Sequence, residues 1–407
     1  MVLTAALVVA LLGPHASLSA PPRSLVAGQA WRATLVVRPA PRLAPTVLAR
    51  PTLGRQSSFR ATKTGRGRYR VRLVLPRAGT WRLSARVGKR SLVLRSVVVR
   101  PLPRPVSPLP GATAFRVCGG AAIPYPQYAL AVGFGSAWVA CVRQSEVQRI
   151  SLATGQVTAR IRVPVPVWSI AAGEGAVWAV ALQGSVVYRI APGSNRVTAE
   201  IGLGTQVPYL WAGAGALWVA DDPGRALVRV DPGTNRPGAR VPVGDGPAGF
   251  VVDGGYIWVL NHRENSLDRI DPGTNAVVRM ARGLGPADTS AAERIASFGG
   301  SLWVTGRGLD LLRVSPATGA VLGTTEIGPA GVDVRSDGAN LWLVSYDAAA
   351  EPRGDPVTGA VLRIAADGTV SSSVAPRRRL FANGVAAADG ALWLLDSVAG
   401  LLLRLPA

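Results

Sequence analysis

The chain has 407 residues, a formal net charge of +22 from 45 Lys and Arg against 23 Asp and Glu, and only two cysteines and two histidines. The two cysteines, Cys118 and Cys141, have no histidine near them in sequence, so a zinc site is not expected. The apolar stretch at residues 2–12 is eleven residues long, too short to span a bilayer, and no other segment is a candidate span.

Residues 1–16 read as a signal-peptide-like leader: an apolar core, then Gly13-Pro14, with small residues at Ser17-Leu-Ser-Ala20 suited to cleavage. No basic residue precedes the core, which points to a start further upstream. An extracytoplasmic location, secreted or bound to the cell envelope, follows.

Residues 17–100 are predicted to form a small basic β-sandwich. Tyr69, Val71 and Leu73 alternate with Arg68, Arg70 and Arg72, and Trp81, Leu83, Ala85 and Val87 alternate with Arg82 and Arg86. An apolar face backed by an arginine face is the pattern of an antiparallel sheet packed on one side. Residues 1–111 hold twenty basic residues and no Asp or Glu, so nearly all the net charge lies here. The arginine face (Arg68, Arg70, Arg72, Arg82 and Arg86) is a candidate for binding a polyanion such as anionic lipid headgroups or a wall polymer. A solvated face in an arginine-biased sequence accounts for the same residues without a partner. Nucleic acid is disfavoured, because Trp31, Tyr69 and Trp81 fall in phase with the core and leave no stacking platform. Five prolines between Pro101 and Pro110 make residues 101–111 a stiff linker.

From residue 112 onward the chain repeats. Trp138, Trp178, Trp218, Trp258, Trp303, Trp342 and Trp393 each sit in a short apolar run, spaced by 40, 40, 40, 45, 39 and 51 residues. An arginine between apolar residues follows each one: Arg149, Arg189, Arg229, Arg269, Arg313, Arg363 and Arg404. A period near 40 built from short strands and Gly/Pro/Asn turns predicts β-propeller blades. In the unit around Trp218, strands are expected at 209–212, 216–220, 226–230 and 238–243. Asp231-Pro-Gly-Thr-Asn235 and Asp271-Pro-Gly-Thr-Asn275 are turn chemistry between third and fourth strands, so these aspartates are expected to be structural.

The last blade stops after its third strand, and residues 113–117 look like an orphan fourth strand. Their pairing would close a seven-bladed ring and remove the free edge. Cys118 follows that orphan strand and Cys141 follows the second strand of the first blade. Those ends face the same way, so the two either form a disulfide or stay as buried free thiols.

The motifs Gly215-Ala-Leu-Trp218-Val-Ala and Val228-Arg-Val-Asp231-Pro-Gly-Thr-Asn235 resemble the YVTN and streptogramin-lyase (virginiamycin B lyase-type) propellers, over residues 112–407. Pro76-Arg-Ala-Gly79-Thr-Trp81, after Gly67-Arg-Tyr69, resembles Ig-like domains of the FixH/YtkA type. Those resemblances imply an all-β chain: an N-terminal Ig-like β-sandwich followed by a seven-bladed β-propeller. Streptogramin lyases use paired histidines with a glutamate and Mg²⁺. The propeller here has one histidine, so no catalytic residue is carried over.

Connections after second and fourth strands emerge on one face, here called the upper face. Both irregular spacings fall there, from extra residues in 346–359 and 283–294, as expected of a binding surface. The candidate ligand-binding residues are Asp221, Asp222, Asn261, Arg263, Asn265, Arg307, Asp347 and Asp396. Arg143, Glu146, Gln183, Asp288, Glu293, Glu351, Arg353 and Asp355 are predicted on the same face. Converging acids suit Ca²⁺ or Mg²⁺, though no ligand spacing assigns a metal and solvated loop charge explains them equally. His262 and Glu264 are the catalytic candidates if any acid–base chemistry occurs. The expectation is an exported, non-catalytic ligand- or protein-binding propeller without a cofactor. A Mg²⁺-dependent carbon–oxygen lyase and a purely structural envelope protein are the alternatives.

Overall fold

The computed structural model describes residues 14–27, 29–52, 56–75, 78–100, 107–120, 129–182, 185–204, 209–284, 292–306, 310–327, 331–346 and 358–407. The chain divides into two compact units, Met1–Arg104 and Pro105–Ala407.

The first unit is a seven-stranded antiparallel sheet. Its strands are β1 (His15–Leu18), β2 (Ala30–Arg38), β3 (Thr46–Pro51), β4 (Ser57–Gly65), β5 (Arg68–Val74), β6 (Gly79–Val87) and β7 (Arg90–Val99). They lie in the order β1-β2-β5-β4-β3-β6-β7. β4 serves both halves: Ser57–Arg60 pairs with β3, and the following residues pair with β5. The period of two puts Trp31, Leu35, Tyr69, Leu73, Trp81 and Leu83 into one buried core. A parallel bridge from Val26 to Arg100 ties the two ends of the unit.

The ends of the expected leader and of the expected linker both carry described structure. β1 starts inside the expected leader, because His15 and Ala16 pair with Arg38 and Val37 and Leu18 is buried. Residues 1–13 lie outside the described residues. At the other end Leu109, expected in the linker, packs with Leu380, Leu403 and Leu405 in the second unit's core. The N–H of Arg377 also donates to the carbonyl of Pro108 at 2.8 Å. The last residues of the proline-rich stretch therefore belong to the ring, because an exposed leucine there would forgo apolar burial.

The second unit is a seven-bladed β-propeller of four-stranded antiparallel sheets. Blade 3 has strands Leu210–Gly213, Ala216–Asp221, Ala226–Asp231 and Arg236–Pro242, each within two residues of expectation. The seventh sheet takes its fourth strand from β8 (Thr113–Arg116), which pairs with Leu401–Pro406 from Leu401 opposite Arg116 to Arg404 opposite Thr113. The ring thus closes by joining the first strand of the unit to the last.

Each repeat tryptophan lies directly across from its repeat arginine on the third strand. Burial of the indole is nearly complete in every blade. In blades 1 to 5 its N–H donates to a carbonyl five residues earlier, as Trp138 does to Gly133 at 3.0 Å. In blades 1 to 4, 6 and 7 the arginine lies over the ring, with Arg149 4.9 Å from the Trp138 centroid, a cation–π contact. In blades 1, 2, 3 and 5 it reaches the next blade. Arg149 donates to the Pro192 carbonyl at 2.7 Å and the Asn195 side chain at 3.1 Å; Arg229 does the same to Pro272 and Asn275 at 2.8 and 3.3 Å. The receiving asparagines are left-handed, with φ of 54° at Asn195 and 60° at Asn275, a conformation asparagine tolerates.

The turn aspartates are structural. Asp231 Oδ1 accepts the N–H groups of Gly233 and Thr234 at 2.8 and 2.7 Å. The bonds from Thr234 and Gly233 hold its carboxyl below the usual range.

Candidate functional site

Among the described residues of the propeller, a dense polar cluster spans the upper ends of blades 3 and 4. It begins where the second strand ends, three residues past the repeat tryptophan, at Asp221 in blade 3 and Asn261 in blade 4. Asp221 is buried, accepts the Gly224 N–H at 3.2 Å and pairs with Arg240. Arg263 bridges blades, pairing with Asp222 of blade 3 and, at 2.9 Å, with Asp245 in the connection between the two blades. Arg225 reaches the same Asp245 at 3.0 Å. Beneath them Asp268, fully buried on the third strand of blade 4, accepts from Asn261 Nδ2 at 2.8 Å, from the Gly244 N–H at 2.9 Å and from Arg279. Glu264 pairs with Arg279 at 2.6 Å and Arg282 at 3.2 Å, and accepts the Asp245 N–H at 3.2 Å.

Five acids (Asp221, Asp222, Asp245, Glu264 and Asp268) are therefore matched by five arginines (Arg225, Arg240, Arg263, Arg279 and Arg282). The hydrogen bond from Arg263 holds Asp245 below the usual carboxylate range, and that from Arg279 does the same for Glu264. A Ca²⁺ or Mg²⁺ ion here would compete with the guanidinium group that each of the five carboxylates already pairs with, so the donor set is a poor fit to a hard cation. Among the described residues no group of three or more His, Cys, Asp or Glu is placed to hold a metal.

His262 stands beside this network. Its backbone N–H donates to the Gly246 carbonyl at 2.7 Å. Gly246 has φ +75°, and a Cβ there would come within 2.5 Å of His262 Cδ2, so the turn needs glycine both for its backbone and for the imidazole. A carboxylate whose pKa is lowered is a weak proton acceptor near neutral pH. Glu264 is thus poorly suited to act as a base next to His262.

Of the other candidates, Asn265 forms the left-handed corner of the blade 4 turn at φ 52°. Glu146 pairs with Arg160 at 3.0 Å in blade 1, away from the cluster. Arg143 is exposed in a turn of the same blade. Asp396 is buried at the equivalent point of blade 7, where it accepts the Ala399 N–H at 3.1 Å, the same turn-closing role as Asp221. Arg307, Asp347, Gln183, Asp288, Glu351, Arg353 and Asp355 lie outside the described residues, as does the side chain of Glu293.

Burial raises the pKa of Asp396 above the ordinary carboxylate value. The folded protein then binds that proton more tightly than the unfolded chain does. The resulting stabilisation is complete below the unfolded pKa of about 3.9 and is lost as pH rises through the folded value. Asp396→Asn, which keeps the turn-closing oxygen, is therefore expected to raise the melting temperature at pH 7. The gain should disappear near pH 3.5. Equal melting temperatures at pH 7 would contradict the burial cost.

A disulfide joins Cys118 to Cys141. It links the residue just past β8 to the upper end of blade 1's second strand. Cys118 is fixed further, its N–H donating to Gln148 Oε1 and its carbonyl accepting from Gln144 Nε2, both at 3.0 Å.

The five arginines proposed for a polyanion lie on two strands that are not neighbours. Arg68, Arg70 and Arg72 point outward from β5, whereas Arg82 and Arg86 point outward from β6. β4 and β3 intervene in the sheet order, and alternation within each strand carried no information on that separation. Each set gains new neighbours: Arg32 of β2 lies directly opposite Arg72, and Arg50 of β3 opposite Arg82.

No protein-family model matches this chain, and no curated protein matches it. Solved structures do. Hydrazine synthase of Kuenenia stuttgartiensis aligns with a TM-score of 0.55 at 14% identity, over 70% of this chain and 96% of that one. The dihydro-heme d1 dehydrogenase NirN aligns at 0.47 and 14% identity, over 80% of this chain and 72% of that one. Hsv2 of Kluyveromyces lactis, with its loop 6CD replaced, aligns at 0.48 and 10% identity, over 65% of this chain and 86% of that one. At such identities the likeness is one of fold, the β-propeller.

Proposed function

We propose that this chain is an exported, non-catalytic binding protein of the cell envelope. Its propeller would present the upper face to a protein or ligand, and its basic first unit would rest on an anionic surface. The observation that carries this reading is the engagement of Glu264. The carboxylate nearest the propeller's histidine in sequence is already held by Arg279 and Arg282. The Cys118–Cys141 bond suits an oxidising compartment. Arginine facing arginine across β2 and β5, in a region without any acid, is unfavourable unless an external anion compensates it. The finer family readings, YVTN or streptogramin-lyase-like for the ring and Ig-like for the first unit, agree with seven four-stranded blades and with a sheet folded over one core.

A Mg²⁺-dependent lyase using His262 and Glu264 is the rival, and a purely structural envelope protein is the third reading. The full chain is expected to leave a streptogramin intact with or without Mg²⁺. It is also expected to sediment with phosphatidylglycerol vesicles at about 0.1 M salt and to be released near 1 M, where screening is several-fold shorter in range. Mg²⁺-dependent turnover that vanishes in His262→Ala would transfer the assignment to the lyase. Failure to sediment with the vesicles would remove the anionic-surface part of the reading.

A further inference from the structure

The outer face of the first unit's sheet holds a recess of about 420 Å³ lined by Arg32, Ala33, Thr34 and Arg70. The register between β2 and β5 builds it. Arg32 lies directly opposite Arg72, and Thr34 directly opposite Arg70. All four are exposed and leave the same face of the sheet. They mark a rectangle of about 5 Å across the strands by about 7 Å along them. Arginine stands at three corners and threonine at the fourth. The short Thr34 side chain among longer ones opens the recess, and Thr62 of β4 flanks Arg70 on its other side.

No acid of the unit neutralises these cations. Residues 1–111 contain no Asp or Glu, so Arg32, Arg70 and Arg72 have no carboxylate of their own unit to pair with. On the propeller's upper face, by contrast, each arginine of the cluster has its acid. Like charges directly opposite on neighbouring strands are destabilising, which an anion in the recess would relieve. A guanidinium fork engages two oxygens at once, so one fork saturates a carboxylate. A phosphomonoester carries three peripheral oxygens and close to two negative charges at neutral pH. Several forks around one recess suit that second anion, and the Thr34 hydroxyl supplies a further donor at the fourth corner.

We propose that this recess binds a phosphomonoester, its phosphate held between Arg32 and Arg70, with Arg72 and the Thr34 hydroxyl completing the shell. The proposal rests on the reading of the first unit as an anion-binding surface and narrows it to one site and one ligand chemistry. Diffuse attraction to a charged surface draws on every exposed arginine alike, whereas a site depends on the corners of the rectangle. A soluble ester and the headgroup of phosphatidic acid present the same phosphate, and the test separates the two sources.

The site is read by calorimetric titration of the full chain with glycerol 3-phosphate, dimethyl phosphate and acetate. The source is read by sedimentation with phosphatidic acid or phosphatidylglycerol vesicles of matched surface charge. Glycerol 3-phosphate should bind roughly tenfold or more tightly than either monoanion. Arg70→Gln should weaken it by a similar factor, and so should Thr34→Leu, which fills the recess and leaves the charge unchanged. Arg86→Gln removes the same charge from β6, three places from β5 in the sheet order, and should leave binding nearly unchanged. All three residues are exposed, so none of these changes cuts into the core. A preference for phosphatidic acid vesicles supports the site with a headgroup as its ligand; selective glycerol 3-phosphate binding without that preference supports it with a soluble ester. No binding of glycerol 3-phosphate, equal binding of the three anions, undiminished binding in Thr34→Leu, or equal losses in Arg70→Gln and Arg86→Gln would each overturn the site. Sedimentation with phosphatidylglycerol would then leave the anionic-surface reading standing alone. Glycerol 3-phosphate binding without sedimentation on either vesicle would remove that reading and keep the site.

Discussion

Replacing both cysteines, Cys118→Ala with Cys141→Ala, should lower the unfolding free energy of the propeller by about 3 kcal/mol. The bond closes a loop with a sequence separation of 23, and removing it returns that loop's entropy to the unfolded chain. The native side adds a second loss. β8 is a four-residue strand that completes blade 7 alone, and the disulfide fastens its end to blade 1. Alanine is the right replacement, because both thiols are buried and serine would bury a hydroxyl without an assured partner. Urea midpoints of the two proteins measure the cost, and amide exchange at residues 113–117 locates it. Exchange there should accelerate more than in the inner strands. An unchanged midpoint would mean that pairing of β8 alone holds the ring closed.

The ring was readable because its marks are local. A tryptophan in mid-strand, an arginine on the next strand and a Pro-Gly-Thr-Asn turn recur in one dimension, and burial demands the same indole in each blade. Closure was readable for a similar reason: a blade missing its fourth strand and an unassigned strand at the other end satisfy each other's open edges. What the arginines do was not readable. Arg149 and Arg229 cap their own tryptophans but donate to the turn of the following blade, and that contact depends on how blades are inclined to one another.

The upper-face candidates lie at strand ends and in loops, and another charged residue lies beneath them. Asp268 lies on the third strand where blades 1 to 3 have Gln148, Tyr188 and Val228. The alternation of the strand marks the position as interior. A carboxylate there requires a cation, and the residue opposite it in register is Arg279. That signal was present in the chain. The recess of the first unit was not marked in the same way. Alternation gives each strand an arginine face, and only the observed register sets Arg32 opposite Arg72 and Thr34 opposite Arg70.

Arg279→Met is expected to cost about 3 kcal/mol, the lower end of the range for breaking a buried ion pair. Asp268 is fully buried and would keep only the neutral donors Asn261 Nδ2 and the Gly244 N–H. Arg279 retains 28% of its side-chain exposure, so some water can reach the carboxylate, which is why the upper end of the range is not expected. Glu264 would keep Arg282 and the Asp245 N–H, loosening the turn that carries His262. Asp268→Leu combined with Arg279→Met separates the worth of the pair from the penalty of a stranded charge. Well-packed apolar replacements of buried pairs are often neutral, so the double variant should recover most of the loss. If it does, the network is dispensable for folding, and its arrangement of five acids and five arginines across two blades must be explained by what the upper face binds. If the double variant is as unstable as the single one, the pair itself holds blades 3 and 4 together, and the upper-face charges are structural.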